Sequence, residues 1–465
     1  MAADTPHLAD LHRRAADAGI AGYRMLTRTE LLEALGEPAD PGEVVVDATI
    51  LEPAPDAPFE EADEPRPRSG RTRARSHRTR TRSDRGTPGR EAEDVPRGDS
   101  RDVPRSDSRD ASPAESDQPT IQIGGVLELT RQRFGFLRLD GLTPGENDVY
   151  ISAAQVRRCE LRPGDFVEGP AREPRRGERH RALVHVDQVN GEPLEAGLER
   201  PLFDSLPPEL PSARVLLDTP GASVLLRAVD LLAPLALGQR VLVRSAPRSG
   251  RTTLLRELAA ASLADDAGRA IVLLIDERPE EAPGWREAAP GAEFAIATSD
   301  LAPVEQVRIA ELATERARRL AEAGENVVVV CDSLSRLAHA AGGVDEVKRL
   351  FGTGRNLAGG GSVTVIATTL ADGSDEGAAD RAVITTESAL ITLDPELAAA
   401  GVQPALVPAE CTVSNEVDLR AAEELEAVRR LRSLLADLDP AEAAALLRER
   451  IEGSKTNPEL LADLR

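Results

Sequence analysis

The chain has 465 residues, 57 Lys and Arg against 80 Asp and Glu, a formal net charge of −23, and an apolar fraction of 41%. That length accommodates two or three domains with at least one full-sized core. The acidic balance excludes a uniformly basic nucleic-acid binder, though not a locally basic surface. Cys159, Cys331 and Cys411 form no C-x-x-C pair, so neither a zinc module nor a disulfide framework is indicated. No apolar run reaches the ~18 residues of a membrane span, and the N-terminus lacks a signal-peptide pattern, so the expected location is cytoplasmic.

Residues 1–50 read as a small helical domain. Leu8, Leu11, Ala15 and Ala16 share a face, Gly19 and Gly22 interrupt the pattern, and a second run covers residues 29–35. A docking role toward protein or nucleic acid and a plain N-terminal cap fit this unit equally. Over residues 51–119 the apolar side chains vanish and Pro, Ser, Gly, Arg and Asp dominate, the composition of a disordered linker. Its stretch from Arg66 to Arg85 carries one acid, Asp84. Such a stretch is either a solvated spacer or an arm gripping phosphates without reading sequence; the density of like charge favours the arm.

Residues 120–192 switch to short alternating strands separated by Gly and Pro turns, the length of one small barrel of the oligonucleotide-binding kind. Strands are expected at 125–130, 134–139, 149–152, 166–170 and 182–188. Phe134 and Phe136 stand at i, i+2 with Arg138 on the same face, and Tyr150 lies on the next strand. A buried aromatic pair is the plain alternative. In a chain with only 2% aromatics, rings interleaved with arginine instead suit stacking of single-stranded bases. Arg157, Arg158, Arg175, Arg176 and Arg179 add charge for the phosphate backbone.

Residues 193–465 alternate strands and helices, which predicts an α/β domain with a largely parallel sheet and a helical end over 421–464. Its focus is the run from Val241 to Leu255: a buried strand, a small-residue turn containing Gly250, then an amphipathic helix. That is the layout of a phosphate-binding loop, in which backbone N–H groups and a helix N-terminus face an anion. Against the pattern G-x-x-x-x-G-K-[ST], Ser245 replaces the first glycine and Arg251 the lysine, while Gly250 and Thr252 are in place. An ordinary strand-to-helix turn is the alternative. Buried strands are expected at 270–275, 327–331 and 363–368, and a helix over 304–323. Glu277 and Asp332 follow two of those strands, where ligands of such sheets bind. Asp332 with Thr252 fits a Mg²⁺ site, and Glu277 fits the positioning of an attacking water beside ATP. Each acid is otherwise a helix N-cap or an exposed strand end.

Taken together these residues resemble the transcription termination factor Rho family. The likeness is carried by residues 125–138, by Asp148-Val149-Tyr150-Ile151-Ser152, Leu161-Arg162-Pro163-Gly164-Asp165, Asp276-Glu277-Arg278-Pro279, Cys331-Asp332-Ser333-Leu334-Ser335-Arg336-Leu337, Phe351-Gly352 and Lys455-Thr456-Asn457. The resemblance implies a multidomain protein: an N-terminal helical unit, a cold-shock-like barrel, and a RecA-like α/β P-loop domain ending in helices. It also implies a hexameric ring that loads on nascent single-stranded RNA, hydrolyses ATP with Mg²⁺ and contacts RNA polymerase, as a homo-hexamer or co-assembled with a related terminator. By position it assigns RNA contacts to Arg133, Phe134, Gly135, Phe136, Leu137, Arg138, Asp148, Val149, Tyr150, Glu178, Arg179 and His180. It assigns nucleotide contacts to Gly238, Gln239, Arg240, Arg248, Ser249, Gly250, Arg251, Thr252, Thr253 and Arg278, with Glu277 as catalytic carboxylate.

The departures from that family cluster in the motor. Both phosphate-loop lysines are arginine, Gln403 stands at the adenine-stacking position, and Gly401 and Ser414, with Glu410 nearby, occupy the positions of arginines that reach a neighbour's ATP. One channel loop shrinks to Gly342-Gly343-Val344-Asp345, and the other reads Asp372-Gly373-Ser374-Asp375-Glu376. Two readings follow: an RNA-dependent ATPase of transcription termination, or a non-catalytic RNA-binding paralogue that modulates it.

Overall fold

The computed structural model describes residues 119–194, 200–264, 268–370 and 377–464, together with Arg14, Ala18 and Leu35. The expected N-terminal helical domain, the arginine-rich stretch and the acidic loop at 372–376 lie outside the described residues.

Five strands form a closed barrel: β1 (Thr120–Leu129), β2 (Gly135–Arg138), β3 (Val149–Ile151), β4 (Phe166–Arg172) and β5 (Arg181–Leu183). They pair in the order β1-β2-β3-β5-β4, and β1 pairs again with β4 to close the ring. One strand serves both neighbours because the first half of β1 pairs with β4 and the second half with β2. The hand-over falls at Val126, just after Gly124-Gly125, where side chains would collide: a Cβ on Gly124 would lie 2.8 Å from the Phe166 ring. Alternation along the strands turns Leu127, Leu137, Val149, Ile151 and Val167 inward as the barrel core. The run expected at 182–188 is broken. Only Arg181–Leu183 and Gln188–Val189 are strand, because the chain rides over Gly169, where a Cβ would stand 2.2 Å from His185 O.

The second layer system is a nine-stranded sheet whose main path is β6 (Arg240–Ser245), β7 (Arg269–Glu277), β8 (Glu293–Thr298), β9 (Asn326–Asp332), β10 (Ser362–Leu370), β11 (Ala389–Leu393) and β12 (Thr412–Val413), in the order β8-β7-β9-β10-β6-β11-β12. Off that path, the short strand Arg355–Leu357 pairs antiparallel with β10, and Pro208–Glu209 pairs antiparallel with Arg355–Leu357. The first six strands of that order are parallel and β12 is antiparallel. A parallel sheet is covered on both faces, so its strands read as continuous apolar runs such as Val327-Val328-Val329-Val330. One face packs against the Arg251–Ala264 helix and, through Val428, Leu431 and Leu447, against the C-terminal helices. The other face packs Leu242, Ile271 and Leu273 against Ile309, Leu312 and Ala313 of the Pro303–Glu322 helix.

The barrel is fastened to the sheet's open edge. Leu142 N donates to Phe294 O at 2.8 Å, and Ile296 N donates to Thr143 Oγ1 at 2.9 Å. These bonds cover β8, whose unpaired edge is otherwise a site for unwanted pairing. Close approach requires glycine at Gly164 (φ +83°), where a Cβ would stand 2.5 Å from Arg316 N.

Candidate functional site

Ser245, Glu277 and Asp332 close three parallel strands and therefore share the carboxyl edge of the sheet. From Ser245 the chain turns through Arg248 (φ +68°) and Gly250 (φ +90°) before the helix starts at Arg251. A Cβ on Gly250 would meet nothing within 4 Å, so the space in front of the loop is open, and the left-handed backbone is what demands glycine there. The loop is held from behind: the buried Ser249 hydroxyl donates to Ala246 O at 2.8 Å. The first N–H groups of the 14-residue Arg251–Ala264 helix lack partners within the helix and point out of its start. Arg248, Thr253 and Arg278 are exposed around this opening, and among the described residues Arg248 and Arg278 form no ion pair. The arrangement suits a polyphosphate.

The acids are tightly managed. Arg251 Nη2 lies 3.3 Å from Asp332 Oδ1, and Asp332 is fully buried. Burial drives the Asp332 carboxyl above its usual range, against the pull of Arg251 and Arg336. The same Oδ1 sits 3.4 Å from Thr368 Oγ1, whereas Oδ2 is buried without a partner. Glu277 reaches the edge through a bulge. The β7–β8 register shifts between Ile275 and Glu277, leaving Asp276 at φ +52°. Its Oε1 accepts from Arg278 N at 3.0 Å and its Oε2 from Arg336 Nη1 at 3.1 Å. Arg336, on the Leu334–Ala341 helix, is a site residue to which sequence reasoning gave no role; only its place four residues after Asp332 pointed to it.

For a divalent cation the structure offers the unpartnered Asp332 Oδ2 and the Thr252 hydroxyl, both oxygens of the kind hard cations take. These fit Mg²⁺. Among the described residues no group of three or more His, Cys, Asp or Glu surrounds a metal position, so such an ion needs nucleotide oxygens as well. Gly238, Gln239 and Arg240 are not brought to this site. They enter β6 at its far end, about 20 Å from the loop at ~3.3 Å per residue. There Gly238 N donates to Thr364 Oγ1 at 2.9 Å, Gln239 Oε1 accepts from Ala236 N at 2.8 Å, and Arg240 Nε donates to Thr386 O.

On the barrel, four half-buried rings cluster. Phe134 and Phe136 stand edge to face with centroids 6.0 Å apart, Tyr150 lies 5.6 Å from Phe134, and His180 lies 5.1 Å from Phe136. Phe136 and Tyr150 are direct cross-strand partners on β2 and β3. His180 arrives from the turn before β5, and its Nδ1 is buried without a partner. The exposed Arg133, at φ +67° in the β1–β2 turn, and the exposed Arg179 flank the rings.

Several residues expected on this face act behind it. Arg138 is 7% exposed. Its Nε donates to Glu128 Oε2 at 2.8 Å, it pairs with Asp148, and its guanidinium lies 5.6 Å from the Phe136 centroid. Asp148 also accepts from Gly145 N at 2.7 Å. Two carboxylates thus neutralise the guanidinium expected among the rings of the RNA face. Leu137 and Val149 are fully buried, and Gly135 is a close-approach point, since a Cβ there would lie 2.6 Å from Glu128 O. Glu178 accepts from Arg172 at 2.7 and 2.8 Å and from Arg175 N at 2.8 Å, which fixes the turn presenting Arg179 and His180. Glu128 is shared with the other layer system, pairing with Arg308 of the Pro303–Glu322 helix. The positions departing from the family pattern are also placed: Gly401, Gln403, Glu410 and Ser414 are all exposed.

A barrel with a half-exposed aromatic face, joined to a parallel sheet with a phosphate-type loop and two edge acids, defines the class: an oligonucleotide-type barrel coupled to a P-loop-type α/β domain. The description "Rho termination factor, RNA-binding domain" matches residues 123–195, and "ATP synthase alpha/beta family, nucleotide-binding domain" matches residues 226–353. The Rho protein of Thermotoga maritima is 37% identical over 362 residues, 72% of this chain and 84% of that protein. The chain belongs to the transcription termination factor Rho family. The Rho proteins of Streptomyces lividans and Mycobacterium leprae are 37% and 35% identical over 75% and 74% of this chain. The match spans only 52% and 60% of their lengths. No helix among the described residues is long and apolar enough to cross a membrane.

Proposed function

We propose that the chain is an RNA-dependent ATPase of transcription termination, gripping nascent single-stranded RNA on its barrel and turning over ATP at the Gly250 loop. The observation carrying this reading is the half-exposed cluster of Phe134, Phe136, Tyr150 and His180 on a barrel bonded directly to the edge of the nucleotide sheet. Successive bases stack on the rings, and Arg133 and Arg179 meet the backbone. The triphosphate lies on the loop and helix start, with Ser249, Gly250, Thr252 and Thr253 around it and Arg248 and Arg278 at its rim. Thr252 and Asp332 would hold a Mg²⁺ ion there, which would add charge neutralisation at the phosphates. Glu277 accepts a proton from the attacking water, and Arg336 holds its carboxylate in position.

The division at residues 50, 119 and 192 follows from the same reading, with residues 66–85 adding phosphate contacts that do not read sequence. So do assembly into a hexameric ring, alone or with a related terminator, contact with RNA polymerase, and residence in the cytoplasm. ATP hydrolysis by the purified full chain, with and without cytosine-rich RNA, tests the reading. RNA-stimulated turnover that Glu277→Ala removes is the expected result. Absence of turnover under all conditions leaves the barrel's RNA grip as the function and overturns the enzymatic half.

A further inference from the structure

We propose that Arg251 competes with Mg²⁺ for the Asp332 carboxylate, so that this chain binds nucleotide with little dependence on the metal. The inference rests on the nucleotide-binding reading above and concerns what neutralises the phosphates. In the phosphate-loop pattern this position is lysine, a compact point charge, whereas a guanidinium is a wide planar fork whose donors reach two groups at once. Here that fork lies 3.3 Å from Asp332 Oδ1, at the acid expected to hold the metal. The other acid at the edge, Glu277, is matched by Arg336 at 3.1 Å. Each carboxylate therefore has an arginine beside it before a cation arrives.

A dication bound through Oδ2 would share one carboxylate with the guanidinium, and like charges at that spacing repel. Arg248 and Arg278 are exposed and, among the described residues, unpaired, so they add positive charge for a polyphosphate. Three arginines at the loop can supply much of the neutralisation that a metal ion provides elsewhere.

The test is calorimetric titration of the full chain with the non-hydrolysable ATP analogue AMP-PNP, in magnesium buffer and in EDTA. The native chain is expected to differ less than about threefold in Kd between the two buffers, and Arg251→Lys at least about tenfold. Arg251→Ala is expected to bind measurably in magnesium alone, which preserves the test if the lysine variant folds poorly. A native Kd that weakens tenfold or more in EDTA, as in Arg251→Lys, overturns the proposal while leaving nucleotide binding intact. No binding in either buffer by any of the three proteins overturns the nucleotide-binding reading itself.

Discussion

Phe134, Phe136 and Tyr150 are three of ten aromatic residues in the chain, and the barrel keeps all three half exposed although rings are its largest apolar groups. Truncating them should cost little stability and much binding. Base–ring stacking contributes about 1–3 kcal/mol per base, so Phe134→Ala with Phe136→Ala should weaken RNA affinity at least about tenfold. Filter binding at fixed salt reads this, and a thermal melt close to native confirms the fold. This face was legible because residues at i, i+2 of a strand share a side. The same rule misread Arg138: its backbone position is on that face, but Glu128 and Asp148 draw its guanidinium beneath Phe136. No sequence spacing announces a partner ten residues away in either direction. Arg336 went unread for a similar reason, since its pairing with Glu277 joins the end of one strand to the helix that follows another, and the two meet only in the folded domain.

The elements were legible where long apolar runs made them so. The strands expected at 270–275, 327–331 and 363–368 are Arg269–Glu277, Asn326–Asp332 and Ser362–Leu370, and the helix expected over 304–323 is Pro303–Glu322. What joins barrel to sheet was not legible, because it depends on buried charges and close backbone contact. Glu293 on β8 accepts from Arg316 at 2.9 and 3.0 Å and lies 3.4 Å from Arg269. Burial pushes its carboxyl up, but Arg316 and Arg269 prevail and hold it below its ordinary value of 4.5. A folded pKa below the unfolded one gives stability that is complete above the ordinary value and lost as pH falls through the folded pKa. Breaking such a buried pair costs about 3–5 kcal/mol. Glu293→Gln should therefore melt well below the native chain at neutral pH, with the gap narrowing as the pH drops below that range. A constant gap down to the acid limit would contradict this account. Gly164→Ala should loosen the barrel's seat, since its Cβ would strike Arg316 N and its φ is strained for alanine; limited proteolysis reads this as faster separation of barrel and sheet.

Across the whole molecule, a net charge of −23 coexists with a barrel rim of exposed arginines and the arginine-dense stretch at residues 66–85. Each phosphate neutralised steepens the fall of affinity with salt by about 0.7 on a logarithmic scale for single strands. Removing residues 66–85 should therefore flatten that slope by several such increments, whereas Phe134→Ala should leave it unchanged and lower affinity at every salt concentration. The most direct test of the account is ATP turnover by the full chain as cytosine-rich RNA is titrated, native against the Phe134→Ala, Phe136→Ala double variant. Ring stacking that feeds the nucleotide site predicts the same turnover at saturating RNA, reached by the variant only at RNA concentrations at least about tenfold higher. Turnover indifferent to RNA, or titration curves that superimpose, would contradict it.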